Sequence, residues 1–287
     1  MESNYIGRFA PSPTGPLHYG SLVAALASYL DAKHHHGRWL LRIEDLDPPR
    51  ELPEAPAEIT AQLKAFELTW DGDVLFQGSR APAYEQALSS LKQEDLTYPC
   101  FCSRKTTPAV YPGTCRNLDQ QAGDGPYATR LKVGVGALGI NDGVFGPQSW
   151  DLDKDVGDFI VRRKDGLIAY QLAVVLDDDY QGVTHVVRGA DLLDSTPKQL
   201  VVYRSLDLPA PGYVHVPILV DQQGAKLSKQ SRTPAVDTTM PLSTLRAALK
   251  DLGQNAQDHC NTVPDLLLEA SMIWNRQSIP NKMTIEV

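Results

Sequence analysis

Between residues 10 and 20 the chain carries Pro11, Pro13, Pro16 and Gly15, directly after an apolar stretch at residues 4–9 and directly before a helical pattern. No helix can cross such a loop, because each proline removes a main-chain donor and clashes with the preceding turn. Residues 4–9 therefore read as a strand. From 21 to 33, Leu22, Leu26, Tyr29 and Leu30 recur at the spacing of one buried helix face, and Gly37 ends the pattern. Residues 38–43 form an apolar strand followed by Glu44, Asp45 and Asp47, and Ile59, Leu63 and Phe66 mark a second helix. Strand, loop, helix, strand, helix is the order that builds a parallel sheet with helices on both faces, so the expected class is α/β.

From residue 98 the character changes. Cys100, Cys102 and Cys115 fall close together, and glycine and proline become frequent up to Trp150. An insertion at 98–155 is expected to separate a first half of the sheet domain (1–97) from a second half (156–225), with 226–287 forming a loop and a helical C-terminal subdomain. In the second half, 158–163, 167–176, 183–188 and 214–220 are expected strands and 222–224 a turn. Residues 195–206 are an expected helix, with Ser195 as N-cap and Pro197 in its first turn. Helices near 243–252 and 263–274 close the chain. A net charge of -8 argues against broad binding of long nucleic acid, though a folded RNA could still meet a local basic patch. No apolar run is long enough to span a bilayer. The N-terminus carries Glu2 and Arg8 without the apolar core of a secretory signal. Four cysteines in 287 residues fit no disulfide framework, so a reducing, cytoplasmic setting is expected.

Three motifs could carry chemistry. A strand end feeding a glycine-bearing loop into a helix start at His18, Gly20 and Ser21 is where anions bind, since free N–H groups and the helix dipole point there. Alone, it is weak, and a structural turn with a capping histidine is the preferred reading. Lys226 and Lys229 flank Ser228 after the last expected strand of the sheet, and such a cationic arm can neutralise charge on a transferring phosphate. Alone, it reads as a solvated basic loop. Cys100, Cys102 and Cys115 suit zinc, but a structural site needs four ligands, and spacing leaves reduced, buried thiols as an equal alternative. Cys260 is isolated and expected to pack. Gly134, Gly136 and Gly139 have the letters of a dinucleotide fingerprint, yet residues 140–143 cannot open the helix it requires. His34, His35 and His36 sit at a helix end near carbonyls, and Asp177, Asp178 and Asp179 read as a solvated strand end.

Taken together, Pro11-Ser12-Pro13-Thr14-Gly15 with His18-Tyr19-Gly20, and Lys226-Leu227-Ser228-Lys229, resemble the two signatures of class I aminoacyl-tRNA synthetases. Arg8 to Ser12, Arg42-Ile43-Glu44-Asp45 and Val187 to Asp191 are similar to the glutamyl branch, and the resemblance spans about residues 5–230. It implies a Rossmann-type catalytic domain, a zinc-containing insertion and ATP-dependent activation of glutamate as glutamyl-adenylate. It further implies that Arg8 reads the substrate side-chain carboxylate, that Glu44 accepts the ammonium, and that Ala10, Ser12, Tyr170 and Arg188 complete the glutamate site. His18, Gly20, Ser21 and Lys229 are implied at ATP, with His18, Lys226 and Lys229 stabilising the reacting phosphate. The alternative for Arg8 and Glu44 is an internal ion pair, but both sit at strand ends, where open α/β sheets bind ligands.

The resemblance also implies zinc on Cys100, Cys102, Tyr111 and Cys115, which requires a phenol of ordinary pKa about 10 to lose its proton to the metal. Mg²⁺ would accompany ATP. Val174 departs from the pattern: full-length glutamyl enzymes carry asparagine there, so a polar contact is missing from the expected pocket. Only residues 231–287 follow the lysine motif, where two helices fit and an anticodon domain does not. The chain thus resembles the truncated branch that attaches glutamate to the modified base queuosine in the anticodon loop of tRNA(Asp), making that stem-loop the expected partner. A minimal synthetase charging the 3′ end of tRNA(Glu) and a non-catalytic RNA-binding paralogue are the alternatives. A nucleotidyltransferase would explain the phosphate motifs but not Arg8 with Glu44.

Overall fold

The computed structural model describes residues 4–103, 105, 107–117, 125–224, 234–255 and 258–287. Strand β1 (Ile6–Phe9) runs into the proline-rich loop and helix α1 (Tyr19–His34) follows it at once. α1 is covered on most sides, with Val23, Ala25, Ala27 and Ala32 buried as well as Leu22, Leu26 and Leu30. Strand β2 (Arg38–Ile43) lies parallel to β1, with Ile6 opposite Arg38 and Phe9 opposite Leu41. Helix α2 (Ala55–Ala65) follows, and β3 (Leu75–Phe76) adds to the far edge of β2.

After helix α3 (Ala81–Gln93) the chain leaves the parallel frame. Strands β4 (Thr97–Cys100), β5 (Ala128–Leu131) and β8 (Phe159–Arg162) form an antiparallel sheet in the order β4-β5-β8. Between β5 and β8 the antiparallel hairpin of β6 (Ala137–Asp142) and β7 (Gly146–Asp151) projects toward the parallel frame. Gly134, Gly136 and Gly139 lead through this strand, not into a helix.

The frame resumes with α4 (Tyr170–Tyr180), β9 (His185–Gly189), α5 (Thr196–Ser205) and β10 (Gly212–Val216). Residues 167–176 do not form the expected strand. A short apolar run looks alike as a buried strand and as a helix buried on several sides, and here α4 packs between α3 and α5, covering Leu172 to Val175. β9 and β10 pair in parallel, and the Thr184 N–H donates to the Ile6 carbonyl at 2.9 Å, setting β9 beside β1 on the edge away from β2. The chain order reverses between β1 and β9, which is the position where such sheets open a ligand crevice.

The expected strand at 214–220 is divided at Pro217, which has no N–H for a ladder. Its second part, β11 (Ile218–Val220), pairs with β12 (Thr284–Glu286). Helices α6 (Pro241–Asp251) and α7 (Val263–Ile273) pack on α1. Buried Asp31 of α1 fastens the segment after α7, accepting from Trp274 Nε1 at 2.9 Å and Arg276 Nη2 at 2.8 Å. His34 and His35 bond the carbonyls of Ser271 and Asp31, as histidines at a helix end can. Among the described residues no helix is long and apolar enough to cross a membrane.

Candidate active site and metal centre

A cleft of about 710 Å³ opens at the carboxyl ends of β1, β2, β9 and β10. It is lined by Arg8, Ala10 and Ser12 from β1 and its loop, by His18, Gly20 and Ser21 at the start of α1, by Glu44 after β2, by Tyr170 at the start of α4, and by Arg188 on β9. Nine residues singled out from distant parts of the sequence thus share one cavity. Lys226 and Lys229 lie outside the described residues. The segment that follows them returns to the cleft, where Ala235 bridges to His18 and the Val236 N–H donates to the Leu17 carbonyl at 2.8 Å.

Arg8 and Glu44 are not partners of each other. Arg8 pairs through Nε with Asp178 Oδ1 at 3.2 Å, and Arg42 reaches the same oxygen at 2.8 Å while its Nη2 stands 3.5 Å from Glu44. The two Nη groups of Arg8 have no protein partner among the described residues, so the end of its fork is left to the cleft. Glu44 Oε1 is buried without a hydrogen bond. Burial pushes the Glu44 carboxyl above its ordinary value, and Arg42 and Arg8 only partly oppose this. Arg8, Glu44 and Arg188 line the cleft, and buried Arg42 and Asp178 stand behind Arg8 and Glu44. Guanidinium and carboxylate groups on one lining suit a ligand that carries both a carboxylate and an ammonium.

Asp177, Asp178 and Asp179 are therefore not at a strand end, and only Asp179 is exposed. They lie in α4, where Asp178 links Arg8 to Arg42, and buried Asp177 accepts from Gln77 at 2.9 Å, Arg80 at 3.1 Å and Tyr84 at 2.5 Å. Sequence reading missed Arg42 and Asp178 as parts of the site because their role depends on α4 being a helix. The signal was an acidic residue eight positions after Tyr170, two helical turns along. Val174 is buried in the apolar cluster of α4 with Leu172 and Val175 and is not part of the cleft lining.

His18 caps its helix and stands at the cleft. It is the N-cap of α1, with Nδ1 accepting the Ser21 N–H at 3.2 Å, and its ring also lines the cleft. Gly20 and Ser21 of the first turn of α1 line the same space, and the helix dipole there favours an anionic ligand.

A second centre stands apart on the antiparallel sheet. The sulfurs of Cys100, Cys102 and Cys115 all lie within 4.8 Å of one another and could hold a metal ion. The Tyr111 hydroxyl is 3.3 Å from Cys102 Sγ and 3.6 Å from Cys100 Sγ, so an oxygen lies beside the three sulfurs. Burial opposes ionisation of Cys100, yet the hydrogen bond from Arg130 and the contact with the Tyr111 hydroxyl bring its thiol down to about 7. Arg130 also covers the Tyr111 ring at 3.8 Å. Burial, then the neighbouring thiols, push the Tyr111 phenol up, so ligation through its oxygen requires a cation to displace the proton. Cys260 is buried as expected but not isolated: its sulfur is 3.9 Å from His259, which pairs with Glu269 at 2.8 Å.

Comparison with known proteins agrees with this geometry. Residues 6–243 match the family described as tRNA synthetases class I (E and Q), catalytic domain. The chain is 47% identical to a "Glutamyl-Q tRNA(Asp) synthetase" of Pseudomonas putida, covering 99% of this chain and 97% of that one. It is 46% identical to a protein of the same name from Neisseria meningitidis, covering 96% and 97%. Among solved structures, a glutamate tRNA ligase from Elizabethkingia meningosepticum, in complex with its amino acid, has the same fold with a TM-score of 0.83 at 23% identity, over 99% of this chain and 67% of that one. The chain belongs to the class I glutamyl and glutaminyl tRNA synthetase family and, within it, to the glutamyl-Q tRNA(Asp) synthetases.

Proposed function

We propose that this protein uses ATP to activate glutamate as glutamyl-adenylate and transfers the glutamyl group to queuosine in the anticodon loop of tRNA(Asp). One observation carries the reading: a buried cleft beside a helix N-terminus pairs the open fork of Arg8 with the hydrogen-bond-deficient carboxylate of Glu44. A carboxylate and an ammonium on one small molecule satisfy both groups at once. The names of the relatives from Pseudomonas putida and Neisseria meningitidis supply the acceptor.

In the first step an oxygen of the glutamate α-carboxylate attacks the α-phosphorus of ATP, and the bond to the bridging oxygen breaks to release pyrophosphate. The nucleophile is already ionised, so no general base is needed, and the work of the protein is alignment and charge stabilisation. Arg8 takes the side-chain carboxylate, Glu44 the ammonium, and Arg188, Tyr170, Ser12 and Ala10 fix the remainder. His18, Gly20 and Ser21 receive the triphosphate at the α1 terminus, and Lys226 and Lys229 neutralise the charge that develops on it. In the second step a hydroxyl of the queuosine cyclopentene attacks the acyl carbon, AMP leaves, and the hydroxyl proton passes to the departing phosphate or to water. Mg²⁺ accompanying ATP would supply further charge neutralisation. Cys100, Cys102, Tyr111 and Cys115 would hold zinc, which would supply a structural crosslink within the insertion.

Mass spectrometry of nuclease-digested tRNA(Asp), after incubation with ATP and glutamate, tests the whole reading. Glutamate is expected on the queuosine nucleoside. Glutamate on the 3′-terminal adenosine, or none on either, overturns it.

A further inference from the structure

The guanidinium of Arg188 is held on several sides by protein. Nε donates to His215 Nε2 at 3.1 Å, Nη1 to Gln199 Oε1 at 2.8 Å, and Nη2 to Thr196 Oγ1 at 2.9 Å and to the Leu192 carbonyl at 3.3 Å. Arginine does not give up its proton, so His215 Nε2 must be the acceptor and the imidazole proton must sit on Nδ1. That proton faces Asp142 Oδ2 at 2.7 Å. Asp142 Oδ1 in turn accepts the N–H groups of Val144 and Phe145, both at 3.0 Å. The carboxylate therefore cannot turn away, and it selects the tautomer that presents an acceptor to Arg188.

His215 and Asp142 are fully and almost fully buried, and neither lines the cleft. His215 sits opposite Arg188 in the β9–β10 register, which fixes the pair's spacing. Asp142 ends β6, outside the parallel frame, and the Gly143 N–H donates to the Tyr213 carbonyl at 2.9 Å to dock that hairpin on β10. The hairpin thus reaches the amino-acid site through two buried side chains.

We infer that Asp142 and His215 are positioning residues that orient Arg188 toward the carboxylate of the amino-acid substrate. The inference rests on the reading of Arg188 as a glutamate contact. The groups facing His215 are Asp142 on β6, Arg188 on β9, Arg8 on β1 and the stacked Tyr213 ring on its own strand. Burial and the two arginines outweigh Asp142 and hold the imidazole below its ordinary value, so the acceptor persists into mildly acidic solution.

The test is glutamate-dependent ATP–pyrophosphate exchange by the full-length protein, with KM for glutamate and for ATP determined separately. In Asp142→Asn the amide oxygen keeps the two main-chain N–H groups, so the amide nitrogen faces His215 Nδ1 and forces the proton onto Nε2, against Arg188. KM for glutamate is expected to rise on the order of tenfold to a hundredfold, while KM for ATP stays near wild type. His215→Leu should do the same, and His215→Gln, whose side-chain oxygen can still accept from Arg188, should restore most of the loss. Circular dichroism confirms folding, and His215→Gln against wild type decides the matter if the leucine variant does not fold. Unchanged glutamate KM in folded Asp142→Asn, with Arg188→Ala strongly impaired, overturns the inference alone. Unchanged glutamate KM in Arg188→Ala overturns the reading beneath it.

Discussion

Single side chains in the cleft have to satisfy both folding and ligand, and substitutions can separate the two. His18 caps α1 and lines the cleft. Asparagine is a strong N-cap, so His18→Asn should leave the unfolding midpoint nearly unchanged, whereas His18→Ala should cost about 1 kcal/mol. Both should depress ATP–pyrophosphate exchange by a similar factor, a pattern that a purely capping histidine could not give. Arg8→Lys keeps the charge but loses the planar fork, and Arg8→Ala also leaves Asp178 with one guanidinium fewer. Loss of about 2–5 kcal/mol in glutamate binding is expected for the alanine variant, measured as exchange at limiting glutamate. Glu44 has a raised carboxyl, so it takes a proton in the folded state at a pH where the unfolded chain, near 4.5, has already released it. Its contribution to stability therefore falls as pH rises through that window. Glutamate binding has the opposite sign, because only the ionised form accepts the ammonium. Calorimetric affinity should weaken as pH drops toward Glu44's raised value, and Glu44→Gln should abolish that slope.

Elements reach the cleft through a few buried links. The α1–β1–β2 unit supplies the helix start that lines the cleft, and α4 supplies Tyr170 from the other side, with Asp178 behind it on Arg8 and Arg42. The C-terminal segment is fastened by Asp31, whose carboxyl is held below its ordinary value; burial opposes this, but Arg276, Tyr5 and Trp274 outweigh it. Removing the charge leaves Arg276 without its partner, so Asp31→Asn should cost roughly 3–5 kcal/mol in urea unfolding. A depressed carboxylate contributes stability above the unfolded value of 3.8 and loses it as pH falls through the folded one, so the deficit should shrink in acid. At this scale the strand expected at 167–176 became a helix. The run Leu172 to Leu176 does not itself distinguish the two states, and the flanks α3 and α5 decide between them.

Across the whole molecule two centres are separate in space and in consequence. The cleft lies on the parallel frame, while the cysteine cluster lies on the antiparallel sheet of β4, β5 and β8. Cys102→Ser should remove one equivalent of bound zinc by elemental analysis. A loss of a few kcal/mol would lower the melting midpoint by roughly 5–10 °C. Because the cluster does not line the cleft, glutamate-dependent exchange at low temperature should survive this substitution far better than it survives Arg8→Ala.

The order of strand, proline-rich loop, helix and strand was enough to determine the parallel frame and where its first helix starts, because proline and a 3.6-residue apolar period act locally. Cys100, Cys102, Cys115, Arg8, Glu44 and His18 were legible for the same reason: their residue types and short motifs carry their chemistry with them. Tertiary structure alone decided that Asp178 bridges two arginines, that Arg42 belongs to the site, and that Asp142 sets the tautomer of His215 behind Arg188. Those roles come from contacts between groups far apart in the chain. Their charges and hydrogen bonds acquire meaning only when burial removes water and leaves each group with the partner that packing provides.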